Sequence, residues 1–432
     1  MRSICKSVVF VAASVLLVPQ LATAADLEAE IADMKQRMEV MEDQLRVQND
    51  ELADAQATVD QQAEVIEKAG LEEREEVSVL SAFIESTDFN AWVAASYNFN
   101  FQGTSDVPAG GTAPPNFRYP HHGQSNTFQL DQAWIEIDKA PTEESRAGAH
   151  IDLQAGTATT TAQQAGGLAV GTVAPPVGIY SAYVSYLAPI AGGVQIDAGI
   201  MPTILGAEVE QTNANFNITR GATWTLQPVT STGFLVSMEL SDGLLVQAGM
   251  LNEPITGVAQ DLNRAKALTS KVSYSAEKFG ISAGVNWGRA GVGGGVPGSN
   301  VSTGIFDAIL TVDPSDNLSA YMNYDYIWTD SNGTGSTGTH ALSVAGRLGI
   351  LDNTGVAARY EYISATTTVP VLPDVNTTAH TITGTVDHGL TDNLTAKAEI
   401  RYDHTTPGII PDRTGGVRQG QTVALAQLLY EF

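Results

Sequence analysis

From Phe89 onward, apolar side chains fall at every second position. Phe89, Ala91, Val93, Ala95, Tyr97 and Phe99 share one face, and Asn90, Ser96, Asn98 and Asn100 share the other. The same period returns at Ala147-Ala149-Ile151-Leu153, Val194-Ile196-Ala198-Ile200, Phe234-Val236-Met238 and Phe279-Ile281-Ala283-Val285. It returns again at Val356-Ala358-Tyr360-Tyr362 and Leu394-Ala396-Ala398-Ile400-Tyr402. A period of two is the mark of strands with one apolar face. The connections alternate in length. Short polar turns lie near Pro141–Arg146, Ala188–Gly193, Ser241–Gly243, Glu277–Gly280, Asp313–Asn317, Leu351–Gly355 and Gly389–Asn393. Long segments rich in Gly, Pro, Thr and Asn separate them, at 102–126, 156–177, 201–231, 251–266, 288–303, 329–338, 365–377 and 405–418. Seven short turns and eight long loops require sixteen strands, with both ends of the run on the short-turn side. A soluble sandwich has no reason to keep its short turns on one edge. The expectation over 89–432 is an all-β transmembrane barrel of about sixteen antiparallel strands, with fourteen as the alternative.

The N-terminal part follows a different rule. Residues 26–68 hold no Gly or Pro, and a heptad seam runs through Leu27, Ile31, Met34, Met38, Met41, Leu45, Gln48, Leu52, Ala55, Val59, Gln62 and Ile66. A single helix of period 3.6 drifts off such a register, whereas a supercoil holds it. An α-helical coiled coil is expected over 25–69, in the periplasm, with Gln48 and Gln62 pairing across chains and 70–88 as a linker. Residues 1–24 read as a signal peptide: Arg2 and Lys6, an apolar run Val8–Val18, then Ala22-Thr23-Ala24 at the cleavage site.

Composition narrows the function. Cys5 is the only cysteine and leaves with the signal peptide, so disulfide frameworks and thiol chemistry are excluded. The net charge of −26 argues against nucleic acid as a partner. No Ser/His/Asp spacing stands out, so an enzyme is not expected, and neither is a cofactor. His121 and His122 have no carboxylate at metal-ligand spacing and read as a solvated loop tip; no metal site is expected. Trp92, Trp134, Trp224, Trp287 and Trp328 read as girdle and pore-mouth residues.

In a barrel of this size the inward residues line a channel. With the apolar stripes facing lipid, Arg359, Glu361, Lys397, Glu399, Arg401 and Asp403 point inward. So do His150, Asp152, Tyr321, Asn323, Asp325 and Arg347. Placing the basic groups in lipid instead would cost ~2–4 kcal/mol each. The longest connection, 201–231, carries Glu208, Glu210 and Arg220. It is expected to fold inward as a constriction, its two glutamates facing a basic wall of Arg347, Arg359, Lys397 and Arg401. These features imply passive diffusion of small hydrophilic solutes through a homotrimer, mildly cation-preferring. The alternatives are a structural anchor from envelope to cell wall through the coiled coil, or a sugar-specific porin.

Two stretches resemble the OmpL-like β-barrel porin family of Gram-negative bacteria. The first is Ser125-Asn126-Thr127-Phe128-Gln129-Leu130-Asp131-Gln132-Ala133-Trp134-Ile135-Glu136-Ile137, similar to that family's second strand. The second runs from Gly199-Ile200-Met201-Pro202 through Gly206-Ala207-Glu208 to Asn213-Ala214-Asn215-Phe216-Asn217-Ile218-Thr219-Arg220, where Thr219 replaces the family's usual Ser. The resemblance implies a cell outer-membrane location. The closing Leu428-Leu429-Tyr430-Glu431-Phe432 resembles the signal read by barrel-insertion machinery. A stalk before a barrel also resembles porins tethered to the cell wall, and some sugar-specific porins.

Overall fold

The computed structural model describes residues 84–102, 116, 119–159, 169–170, 177–190, 192–255, 264–290, 301–331, 335–368, 375–411 and 416–432. It also describes Ala32, Lys35, Gln36, Glu39, Arg46 and Ser81, all helical and exposed. The expected signal peptide and the coiled-coil seam lie outside the described residues. The chain divides into two units, Met1–Phe83 and Ile84–Phe432.

The second unit is built from strands. They are β1 (Asp88–Asn100), β2 (Thr127–Lys139), β3 (Ala147–Ala155), the two-residue β4 (Ala169–Val170), β5 (Val177–Ala188), β6 (Val194–Pro202), β7 (Thr230–Ser241) and β8 (Leu244–Leu251). There follow β9 (Ala267–Ser275), β10 (Phe279–Ala290), β11 (Val301–Ser315), β12 (Leu318–Ser331), β13 (Ser336–Leu351), β14 (Thr354–Thr368), β15 (Val375–Gly389) and β16 (Leu394–Thr406). The short β17 (Ile410–Pro411) and β18 (Val417–Arg418) pair with each other, and β19 (Gly420–Glu431) ends the fold. Apart from β4, β17 and β18, each strand pairs antiparallel with its sequence neighbours, and β19 pairs with both β16 and β1. The result is a closed sixteen-stranded barrel with no free sheet edge. Its short turns all lie at one end. At Asp242-Gly243 the turn needs Gly, because φ there is +76° and the ladder shifts by a residue between Glu239 and Ser241.

The apolar stripes point outward. Val184, Ile281, Ile382 and Ile400 are more than half exposed on the barrel's outer face, where lipid would cover them. The alternate positions, such as Asp325, Arg359, Glu361 and Arg401, are buried in the interior. Two bulges break the alternation. Ala94 pairs with Gln132 and Ala95 with Leu130, so Asp131 is the extra residue and both Asp131 and Gln132 turn inward. Likewise Asp152 faces Ser181 and Leu153 faces Ile179, which turns Tyr180 and Ser181 inward together.

Trp92 and Trp134 are not girdle residues. They stack inside the barrel, ring centroids 5.1 Å apart, with Tyr180 against Trp134 at 5.0 Å. Trp92 shares its parity with Asn90 and Asn98, so it faces inward with them. Its indole N–H is satisfied by the Gln132 side-chain carbonyl at 2.8 Å. Trp287, half exposed, does face outward.

Candidate functional site

The connection between β6 and β7, residues 203–229, folds into the barrel and is held by its main chain. The wall presents carboxylates to its N–H groups. Glu399 on β16 accepts from the Ile218 N–H at 2.6 Å, the Thr219 N–H at 3.1 Å and the Thr219 hydroxyl at 2.5 Å. Glu361 on β14 accepts from the N–H groups of Ala222 and Thr223 at 3.0 and 2.9 Å. On the other side, Asp307 accepts from the Gly206 N–H and Asn323 from the Ala207 N–H. Cations take the carbonyls: Lys397 donates to Asn215 at 3.0 Å, Arg401 to Arg220 at 2.8 Å, Arg359 to Thr219 at 2.8 Å and Lys271 to Ile204 at 2.6 Å. Hydrogen bonds with one charged partner contribute about 1.5–3 kcal/mol each, more than neutral ones.

Within this frame the acidic and basic groups are brought together selectively. Arg359 pairs with Glu208 of the connection and with Glu361 at 3.2 Å. Asp325 on β12 accepts from Gln227 at 2.7 Å. Arg220 does not face a lumen wall. Its guanidinium turns back into its own loop, donating to the carbonyls of Val209 at 2.7 Å and Glu210 at 2.6 Å, and to the Thr212 hydroxyl at 3.1 Å. Arg347 stands apart from the connection altogether. It lies near the short-turn end, bidentate to Asp387 at 2.9 and 2.5 Å. Glu210 faces neither Arg347 nor Arg359; its carboxylate lies 3.3 Å from His121 Nε2.

His121 and His122 are not a solvated loop tip. Both are buried, His121 against Glu210 and edge-on to Trp224, and His122 with Nε2 3.2 Å from Asp131. Burial pushes the His121 pKa below its ordinary value, against the pull of Glu210. Gln132, beside Asp131 on the bulge, donates to the Glu210 carbonyl and accepts from the Thr212 N–H. The bulge thus serves the first long connection with one residue and the third with the next. Nothing in the local pattern around His121 signals this, because its partner lies 89 residues further along the chain. On β3, Asp152 accepts from Trp134, Ser181 and His150.

A sixteen-stranded outer-membrane barrel with a connection folded inside is the porin class of architecture. The chain belongs to the family described as "Putative beta-barrel porin-2, OmpL-like", whose model matches residues 86–432. No curated protein matches it. Among solved structures it is similar to OmpT, an outer membrane protein of Vibrio cholerae in its trimer form, at 14% identity and a TM-score of 0.54, over 80% of this chain and 99% of that one. The outer membrane channel DcaP of Acinetobacter baumannii is similar at 11% identity and 0.53, over 80% and 97%. An anion-selective porin from Comamonas acidovorans is similar at 11% and 0.52, over 80% and 99%. At these identities the likeness is one of fold. The fold and family place the barrel in the Gram-negative outer membrane.

Proposed function

We propose that the barrel lets small hydrophilic solutes diffuse passively across the outer membrane, with the connection 203–229 as the constriction and a mild preference for cations. The observation that carries this reading is the charge of the interior. Among the described residues, twelve Asp or Glu are buried against four Lys or Arg. Ion pairing neutralises part of that excess, and the remainder attracts cations into a narrow, low-dielectric passage. Glu208, Arg359, Glu361, Lys397, Glu399 and Arg401 set the position of the constriction. Arg220 sets its internal shape, and Arg347 lines the wall at the short-turn end. Planar-bilayer recordings of the purified protein under a salt gradient test the reading. A reversal potential of cation-selective sign is expected; anion selectivity, or no channel, overturns it.

The barrel is further proposed to assemble as a homotrimer. The OmpT neighbour is described in a trimer form. On this chain the small side chains of Ala95, Ala398 and Ala426 leave an apolar depression on the outer face across β1, β19 and β16. A coiled coil in the periplasm would also bring chains together and contact the cell wall.

A further inference from the structure

Near the short-turn end, β2 and β3 point four chemically active side chains inward from adjacent strands. Their register sets Glu136 opposite Asp152 and Asp138 opposite His150. Carboxylates placed directly opposite one another repel, and positive charge between them relieves that repulsion. Donor atoms of Glu136, His150 and Asp152 lie within 4.8 Å of one another. His150 Nδ1 lies 2.9 Å from Asp138, and Nε2 lies 2.8 Å from Asp152.

We infer that Glu136, His150 and Asp152 form a binding site for one divalent transition-metal ion of the zinc type. The arrangement around them is that of a ligand set held by its neighbours. Asp138 on Nδ1 fixes the imidazole so that Nε2 turns to the ion, the carboxylate–histidine–metal relay common to zinc sites. Asp152 is oriented by the Trp134 indole N–H at 3.1 Å and the Ser181 hydroxyl at 2.6 Å. Glu136 Oε1 accepts from the Asn90 amide at 2.9 Å. Tyr183 stacks on the imidazole, ring centroids 4.9 Å apart, which holds its plane.

A tetrahedral ion at 2.0–2.2 Å from each donor keeps its ligands about 3.4 Å apart. The His150–Asp152 separation is already inside that distance, and Glu136, half-buried, closes the rest by side-chain rotation. The imidazole nitrogen selects zinc-type ions over Mg²⁺, which demands oxygen ligands. A fourth position remains for water from the lumen. In the ion's absence a proton between Nε2 and Asp152 holds the two together, and the ion takes its place. The residues lie on two strands, 14 and 16 positions apart, with no ligand spacing that a sequence motif would reveal.

The test is titration of the untagged full-length chain in detergent with ZnCl₂, followed by calorimetry and metal analysis after gel filtration. One zinc per chain is expected, undisturbed by millimolar Mg²⁺. His150→Ala is expected to abolish it. Asp138→Ala, which keeps the three ligands, is expected to weaken binding about 10–100-fold. Heat-modifiable migration on a gel shows that each variant is folded; should His150→Ala fail to fold, Asp138→Ala and Glu136→Gln decide. A His121→Ala, His122→Ala double variant is expected to bind as the parent does. Absence of stoichiometric zinc in the parent, or unchanged binding in Asp138→Ala and Glu136→Gln, overturns the inference. Binding is read without any conductance measurement, so its failure is separate from failure of the transport reading.

Discussion

Glu399 offers the sharpest test of how the inner connection is held. Its two oxygens accept from the N–H groups of Ile218 and Thr219 and from the hydroxyls of Thr219 and Thr385. Glu399→Gln keeps the shape and replaces one acceptor with a donor. The two hydroxyls can rotate to accept from the new amide. The two backbone N–H groups cannot: the Ile218 N–H goes to one oxygen and the shorter Thr219 N–H contact to the other. One N–H is left facing an NH₂, and the other exchanges an ionised acceptor for a neutral one. A buried unsatisfied donor costs about 1–3 kcal/mol, and the loss of charge assistance adds roughly 1 kcal/mol. The total, about 3 kcal/mol, is a factor of roughly 150 in the equilibrium for local release. Hydrogen–deuterium exchange of the Ile218 and Thr219 amides reads that equilibrium directly. The variant should exchange about two orders of magnitude faster at these amides, while the strand amides of β14–β16 stay protected. Equal protection in both proteins would show that Glu399 does not anchor the connection and would refute the reasoning.

Two other outcomes follow from the same geometry. Arg347→Ala removes a partly exposed guanidinium from the buried Asp387 carboxylate, so stability should fall by about 1–3 kcal/mol while conductance stays as it is. Arg359→Ala instead leaves Glu208 and Glu361 buried without their cation and should cost about 3–5 kcal/mol, both seen in thermal unfolding followed by gel mobility. His121 supplies a pH dependence. Its folded pKa lies below 6.5, so the undocked state binds the proton more readily, and docking against Glu210 and Trp224 is complete above pH 6.5. As pH falls below 6.5, peptides spanning 119–126 and 208–212 should lose protection against exchange, corrected for intrinsic rates. His121→Gln should abolish that difference; protection that is constant or rises on acidification contradicts it.

The barrel was legible because one face of every strand meets lipid. That leaves a period of two which no other constraint overrides, and turns whose length reports which end they occupy. Reading the parity of β14 and β16 also puts Arg359, Glu361, Lys397, Glu399 and Arg401 on the inward face, and the structure buries all five. The same rule applied to Trp92 would have placed it inside, but residue type suggested a girdle instead. The bulges at Asp131 and Tyr180 are harder to see, because the extra residue is defined only by its partner strand. Arg220 and Glu210 show the limit of charge reasoning. Opposite charges in one loop and on one wall suggest pairing across the lumen, yet Arg220 is spent on carbonyls within its own loop. Those partners are set by how the loop folds back, which composition does not encode. The fate of His121 likewise depends on a contact between the first and third long connections, and that of His122 on the bulge at Asp131.

The wall grips the inner connection through peptide groups, with Glu361, Glu399, Lys397 and Arg401 all bonded to main-chain atoms of that segment. Aperture geometry is therefore separated from aperture chemistry. On the transport reading proposed above, side chains at positions such as Ala214, exposed on the segment, can be exchanged to retune which solutes pass without dislodging the groups that hold it. An engineer can then vary the exposed positions while the anchoring carboxylates and cations are kept.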